Sequence, residues 1–441
     1  MSYTATRTLD ELWLADIPEH WDSRKIKYTF SERVEKGHPD ESLLVASQSM
    51  GVVPKDVYGN RTVEATKDLH NLKLVCVGDF VISLRSFQGG LEYAYYRGII
   101  SPAYTVMIPN DHITSGYFRF LAKSRLFIEL LQMCVTGIRE GQNIDYDKLK
   151  NHHIPLPPRD EQDQIVRYLD WKVSGINKLI NAKRRQISLL QEKRRKTIDE
   201  IIGNAAGDKI RFRHLFSLYK GLGITKADLK DEGIPCVSYG EVHSKFGFEV
   251  NPDIHALKCV DESYLVTSPK SLLQYGDFVF ADTSEDLAGS GNFTYLNSQT
   301  KAFAGYHTII ARLNSPIKHR YIAYYFDSSH YRSQIQQRVN GVKVYSITRS
   351  ILNNTHVDLP DEVKQEEIIE TLDKQCSYID RSIALLRQEL DLFAEYRTRL
   401  ISDVVTGKLD VRGVIVPEYE TIEDVTEDED AADMENVEDL E

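Results

Sequence analysis

The stretch "NHHIPLPPRDEQDQIV", residues 151–166, decides the fold because the chain writes it a second time, as "NTHVDLPDEVKQEEII" at 354–369. Both copies run from an extended, proline-bearing apolar phrase into the charged start of a helical pattern. Adding 203 carries Ile144 to Ile347, Leu149 to Leu352, Asn151 to Asn354, His153 to His356, Leu156 to Leu359 and Pro157 to Pro360. The same shift carries Gln162 to Gln365, Leu169 to Leu372, Asp170 to Asp373 and Ile176 to Ile379. "GDFVIS" at 78–83 returns as "GDFVFA" at 276–281, "VTGIR" at 135–139 as "VNGVK" at 339–343, and "KIKYTFS" at 25–31 as "RFRHLFS" at 211–217. The spacing drifts by a few residues between these matches, as insertions in the loops of a duplicated domain require. The chain therefore has two halves of one design.

After each proline phrase the apolar residues fall at alternating intervals of three and four. Positions 166, 169, 173, 176, 180, 183, 187, 190, 194, 197 and 201 read Val, Leu, Val, Ile, Ile, Lys, Ile, Leu, Arg, Thr, Ile. Shifted by 203 they read Ile, Leu, Cys, Ile, Ile, Leu, Leu, Phe, Arg, Leu, Val. That is the seam of a coiled coil, with Leu169, Ile176, Ile180, Ile187 and Leu190 facing Leu372, Ile379, Ile383, Leu390 and Phe393. Each helix spans about 40 residues, hence roughly 60 Å at 1.5 Å per residue. Residues 159–200 carry eleven basic and seven acidic side chains, residues 361–410 seven and twelve. Opposite net charge favours pairing of the two helices with each other, and an antiparallel pair leaves one domain at each end. Asp160 is expected to cap the first helix, and Gly203 and Gly407 to end the two.

The expected organisation is a domain over 1–155, a helix over 156–205, a second domain over 206–357, a helix over 358–410 and an acidic, disordered tail over 411–441. The flanking domains mix short strand-like runs ("DFVISL", "DFVFA", "HTIIARL") with glycine-rich loops and helical stretches, an α+β pattern with two similar α/β-type modules. A chain of 441 residues has room for more than one core. The formal net charge is −12, but thirteen acids and no base lie between Glu418 and Glu441, so the remaining body is close to neutral. Five cysteines scattered singly fit a reducing cytoplasm and no disulfide framework, and no run is long and apolar enough to span a bilayer. The N-terminus lacks a signal-peptide pattern.

Several chemistries lack their motif. There is no phosphate-binding G-x-x-x-x-G-K-[ST] loop, no H-E-x-x-H, no G-x-S-x-G elbow and no spaced Cys/His cluster. "PDEVK" at 360–364 reads as a helix start, since its counterpart is "PPRDE". His152 and His153 are adjacent, which in extended chain sends them to opposite sides, away from shared ligation. No catalytic residue and no metal site are assigned.

The phrases "IPLPPRDEQDQIV" and "VDLPDEVKQEEII", each leading into a long helix, together with "IPEHWDSRKIKYTFSERVEKGHPDE" and the twice-used "GDFV", resemble the DNA-specificity subunit of type I restriction-modification systems. The resemblance covers roughly residues 10–410; the second copy departs from it where "PLPP" becomes "DLPD" and the Glu-Gln pair becomes Lys364-Gln365. It implies two target recognition domains, each reading half of a split, asymmetric sequence in double-stranded DNA, with the paired helices setting the gap. It further implies partners: two modification subunits that methylate adenine from S-adenosylmethionine, and restriction subunits that use ATP and magnesium. The chain itself would then be a non-catalytic, cytoplasmic subunit without a cofactor or membrane contact.

Base readout needs side chains that reach base edges, with Arg suited to guanine and Asn or Gln to adenine. Loops that follow strands are the expected readers: 84–90 and 136–143 in the first half, 281–292 and 340–349 in the second. From these come Arg85, Gln88, Arg139, Gln142 and Asn143, and Thr283, Ser284, Lys343, Tyr345 and Ser346. The plain alternative for each is a solvated turn residue. The tyrosines, 24 in all, are read as packing residues. The basic runs at 182–186 and 192–197 are read first as a solvated face or as partners of acids on the other helix. Two other functions compete: a self-sufficient DNA methyltransferase or nuclease, and a coiled-coil scaffold with no DNA role. Methyl transfer by the isolated chain would identify the former, and absence of sequence discrimination the latter.

Overall fold

The computed structural model describes residues 3–9, 11–58, 68–84, 86–136, 143–341 and 344–422. The chain divides into two compact units, Met1–Arg185 with Arg387–Glu441, and Gln186–Leu386. Six helices organise them: α1 (Ser115–Leu121), α2 (Arg125–Met133), α3 (Arg159–Gly203), α4 (His319–Asp327), α5 (Ser329–Gln336) and α6 (Glu362–Val405). The start of α3 and the end of α6 belong to the first unit; the end of α3 and the start of α6 belong to the second.

In the first unit β1 (Asp22–Lys25) and β6 (His153–Leu156) form an antiparallel pair beside an antiparallel sheet. That sheet contains β2 (Phe30–Glu32), β3 (Phe80–Ile82), β4 (Glu92–Tyr93) and β5 (Thr105–Pro109), in the order β2-β5-β3-β4. Phe80 and Phe118 meet edge to face at 4.7 Å, so the "GDFV" strand is the floor on which α1 packs. The seam residues Leu169, Ile176 and Ile180 are buried in the same core as Leu400, Val404 and Val405, with Leu390 and Phe393 packed against it. Asn177 Oδ1 accepts from Arg397 at 2.8 Å and Lys183 pairs with Glu389 at 2.6 Å, so α3 and α6 run antiparallel in this unit.

In the second unit β7 (Asp208–Arg211) pairs antiparallel with β15 (His356–Leu359). The central sheet is built from β8 (Phe216–Lys220), β9 (Phe248–Val250), β10 (Phe278–Ala281), β12 (Phe293–Leu296) and β13 (Thr308–Leu313), ordered β8-β13-β10-β12-β9. Every pairing is antiparallel except β9 with β12. Two further strands, β11 (Thr283–Ser284) and β14 (Tyr345–Ser346), form a separate pair. Leu372 and Cys376 of α6 share a core with Ile198 and Ile202 of α3, while Ile379 and Ile383 are buried and Ile187 and Leu190 half-buried. Tyr295, Tyr321, Tyr324, Tyr325 and Tyr331 are fully buried, as the packing reading of tyrosine expects.

The repeated motifs make repeated bonds. In both "GDFV" copies the glycine has positive φ, +94° at Gly78 and +84° at Gly276, a conformation that suits glycine. The aspartate that follows accepts the backbone N–H three residues back at 2.8 Å, Cys76 onto Asp79 and Gln274 onto Asp277. Each buried carboxylate is held by an arginine, but from different strands: Arg33 after β2 at 2.8 Å, and Arg312 of β13 at 2.6 Å. The proline phrase is fastened by its glutamine, with Gln162 Nε2 donating to Pro157 O and Gln365 Nε2 to Pro360 O, both at 2.9 Å. Tyr117 and Tyr321 then anchor the same phrase through Pro155 O and Asp358 O.

Three expectations need correction. Asp160 lies inside the first turn of α3, whereas Asp361 caps α6 by accepting from Lys364 N at 2.8 Å. The repeat is exact in spacing there, yet the second proline of "PLPP" takes the cap position in the first copy, and proline has no side-chain acceptor. The helix ends are as expected: Gly203 is the last residue of α3, and Gly407, at φ +76°, follows the end of α6 in the left-handed region. His152 and His153 do not diverge: only His153 is in the strand, and both rings converge on Glu11, at 2.8 and 2.9 Å. Finally, residues 411–422 are not a free tail. Gln164 Nε2 donates to Val411 O and Val414 O, and Asn177 Nδ2 to Ile422 O, laying this segment along α3; the rest of the tail lies outside the described residues.

Candidate nucleic-acid interface

Sequence places Thr283 and Ser284 sixty residues from Tyr345 and Ser346, and the fold pairs them. Thr283 stands opposite Ser346 and Ser284 opposite Tyr345 in an antiparallel ribbon, extended by Ile347 N donating to Asp282 O at 2.7 Å. The four side chains are not equivalent. Ser346 is exposed and Thr283 and Tyr345 are half-buried, but Ser284 is buried and donates its hydroxyl to Asp286 O at 2.7 Å. Ser284 thus braces the loop from inside while its neighbours face outward.

The loop that follows is tightly held. Asp286 Oδ1 accepts from Gly289 N, and a Cβ on Gly289 would stand 2.6 Å from Ser284 Oγ and 2.8 Å from His243 Cε1, so a larger residue would displace one or both side chains. Asn292 bridges His243, at 3.0 Å, and Arg332, at 2.8 Å, while Tyr239 stacks on the His243 ring. Sequence reasoning passed over Tyr239, His243 and Arg332. Their only shared signal is contact across three distant segments, including a π-helical turn at Glu241–Lys245, which no local pattern announces.

In the first unit Gln88 is exposed on a single helical turn, Ser86–Gly89, and Asn143 is exposed where the pair Asn143–Ile144 meets Val135–Thr136 as a hairpin. Gly90, at φ +88°, brings that turn so close to α1 that a Cβ would lie 2.2 Å from Ala122 O. Arg85, Arg139, Gln142 and Lys343 lie outside the described residues. The structure therefore gathers four candidates into one ribbon in the second unit, and places Gln88 and Asn143 on exposed surface in the first.

Charge at the helix seam is used internally. Arg194, a charged seam position, sits 2.6 Å from Asp327 and 2.9 Å from Asp380. Burial opposes its charge, but the two carboxylates outweigh burial and hold the guanidinium firmly ionised. Burial likewise pushes Asp327 up, and Arg332 and Arg194 together bring it below the usual carboxylate range. In the first unit Glu11 is pushed up by burial and pulled below its ordinary value by hydrogen bonds from His152 and His153.

Comparison with known proteins agrees with this architecture. The family model described as the type I restriction modification DNA specificity domain matches residues 20–189. Two relatives from Methanocaldococcus jannaschii align over nearly the whole chain. The type I restriction enzyme MjaVIII specificity subunit is 20% identical, covering 94% of this chain and 99% of its own length. A putative MjaX specificity subunit is 21% identical over 90% and 96%. A chain from a solved structure concerned with assembly and conformational transition of the type I R-M system superimposes with a TM-score of 0.60 at 15% identity, over 89% of this chain and 99% of that one. Over nearly its whole length this chain is therefore similar to specificity subunits of type I restriction enzymes, and residues 20–189 match the model of the type I restriction modification DNA specificity domain.

Proposed function

We propose that the chain reads an asymmetric, two-part target in double-stranded DNA, each unit recognising one half, and that it makes no covalent change itself. The observation that carries this reading is that the units share a scaffold but not a surface. Gly-Asp turn, glutamine clamp and tyrosine anchor recur, while the loop "LRSFQGG" in one half stands against "ADTSEDLAGSGN" in the other. Two like scaffolds bearing unlike loops suit two different half-sites. Gln88, Asn143, Thr283, Tyr345 and Ser346, with Arg85, Arg139, Gln142 and Lys343, are the proposed contacts to DNA, and Ser284 supports them.

On this reading the chemistry belongs to partners in the cytoplasm. Two modification subunits transfer methyl groups from S-adenosylmethionine to adenine, and restriction subunits use ATP and magnesium. The test is methylome mapping in cells with and without this gene, the partner genes kept. Loss of one split motif bearing methyladenine in both halves is expected; unchanged methylation would overturn the reading.

A further inference from the structure

One face of the second unit carries cations that make no ion pair among the described residues. Strand β7 places Lys209 and Arg211 two residues apart, hence on one side of the ribbon, opposite Asp358 and His356 of β15. The segment just past α5 brings a third. Gln334 accepts from His356 N at 2.9 Å and donates to His356 O at 3.1 Å, closing the free edge of β15 as a strand would. Arg338, two residues past the end of α5, donates through Nη1 to Gln334 O, and its charge acts on the same histidine.

Among the described residues Lys209, Arg211 and Arg338 lack an acidic partner, although Arg338 donates to one backbone carbonyl, Gln334 O. All three are exposed. Asp358, the acid opposite Lys209 in the ribbon, is already taken by Tyr325 Oη at 3.2 Å and His330 Nε2 at 3.1 Å. The His356 ring registers the field: burial first, then Lys209, Arg211 and Arg338, push its proton affinity below the ordinary value.

The first unit has the same ribbon with fewer cations around its histidine. By the repeat, His356 corresponds to His153, Arg211 to Lys25, Lys209 to Ser23 and Arg338 to Cys134. There His153 meets the carboxylate of Glu11, which neutralises the position. The concentration of positive charge is thus a property of the second unit alone and not of the scaffold.

We infer that Lys209, Arg211 and Arg338 form a phosphate-binding patch around His356 that holds the sugar–phosphate backbone of the DNA. The inference rests on the chain being a DNA-binding subunit and adds a sequence-independent anchor to one half of it. Compact, unpaired cations on a strand ribbon suit phosphodiester oxygens, which need charge and donors but no base-edge geometry. The anchor fixes register, and the outward side chains of the β11–β14 ribbon remain to discriminate bases.

The test uses the complex with its modification subunits, comparing wild type with Lys209→Gln, Arg211→Gln, Arg338→Gln and the triple variant on cognate and non-cognate duplexes across salt concentrations. Each lost contact is expected to make the slope of log K against log salt shallower by about 0.9, so by about 2.7 in the triple variant. Cognate and non-cognate binding should weaken together, on the order of tenfold or more for the triple variant at low salt, and Lys209→Arg should bind as wild type does. Unchanged slopes in an assembled, folded complex would overturn the inference. So would loss of assembly with the modification subunits, which would make the patch a protein-docking surface. If wild type fails to distinguish cognate DNA, the proposed target reading falls, while the non-cognate slopes still decide the patch.

Discussion

Gln162 and Gln365, 203 residues apart in the chain, make the same bond: each side-chain amide donates to the carbonyl of the proline five residues before it, at 2.9 Å. The first goes further. Gln162 also donates to His112 O at 3.0 Å and accepts from Thr114 N at 2.8 Å, tying the entry of α3 to the entry of α1. Gln365 accepts only a longer bond, 3.3 Å, from Lys318 N at the start of α4.

Replacing these residues should therefore hurt unequally. Gln162→Ala strands three backbone groups in a buried position, and a loss of about 2–4 kcal/mol is expected, at roughly 1 kcal/mol or more for each unmet group. Gln365→Ala should cost about half as much. Urea unfolding of the two variants checks this; equal losses would mean that the clamp acts only through the proline carbonyl.

Arg194→Met should destabilise the second unit by about 3 kcal/mol, because it leaves Asp327 partly buried with only Arg332 as a cationic partner. The pH dependence follows from Asp327, whose folded value lies below its ordinary 3.8. Its stabilisation is fully present above that ordinary value and is lost as pH falls through the lower, folded value. Asp327→Asn should flatten acid unfolding in that window while lowering stability at neutral pH. An acid limb identical to wild type would remove Asp327 from the explanation.

Glu11 provides a comparable case in the first unit. Glu11→Gln keeps the size but loses the charge that both His152 and His153 address, and should cost about 1–3 kcal/mol at neutral pH. Because the folded carboxyl is held below 4.5, the difference from wild type should shrink as pH drops beneath it. Thermal melts at neutral and acidic pH measure this.

In the β11–β14 ribbon, Thr283→Ala and Ser346→Ala should leave stability within about 0.5 kcal/mol. Each lost base contact should relax preference at one position of one half-site by about 1–3 kcal/mol. Ser284→Ala should do the reverse, lowering stability through the lost bond to Asp286 O while its effect on base preference is indirect. Binding selection on randomised half-sites, beside melting curves, separates the two classes.

The proline phrases and the three-four spacing that follows them determined, without coordinates, two copies of one domain and two long helices that pair. Those features are local or periodic, so they survive in a linear reading: a seam must recur every three or four residues whatever it faces. The "GDFV" copies were equally legible as repeats, though not as Gly-Asp turns whose carboxylate is gripped by Arg33 in one unit and Arg312 in the other. Only the tertiary structure decided those partners, because a side chain's charge does not specify which strand will neutralise it. It likewise joined Thr283 to Ser346, turned Ser284 inward, drew His152 and His153 onto Glu11 and left Lys209, Arg211 and Arg338 without an ion pair among the described residues. Register and periodicity are written along the chain; the sign of the field at a surface is the sum over segments that only folding brings together.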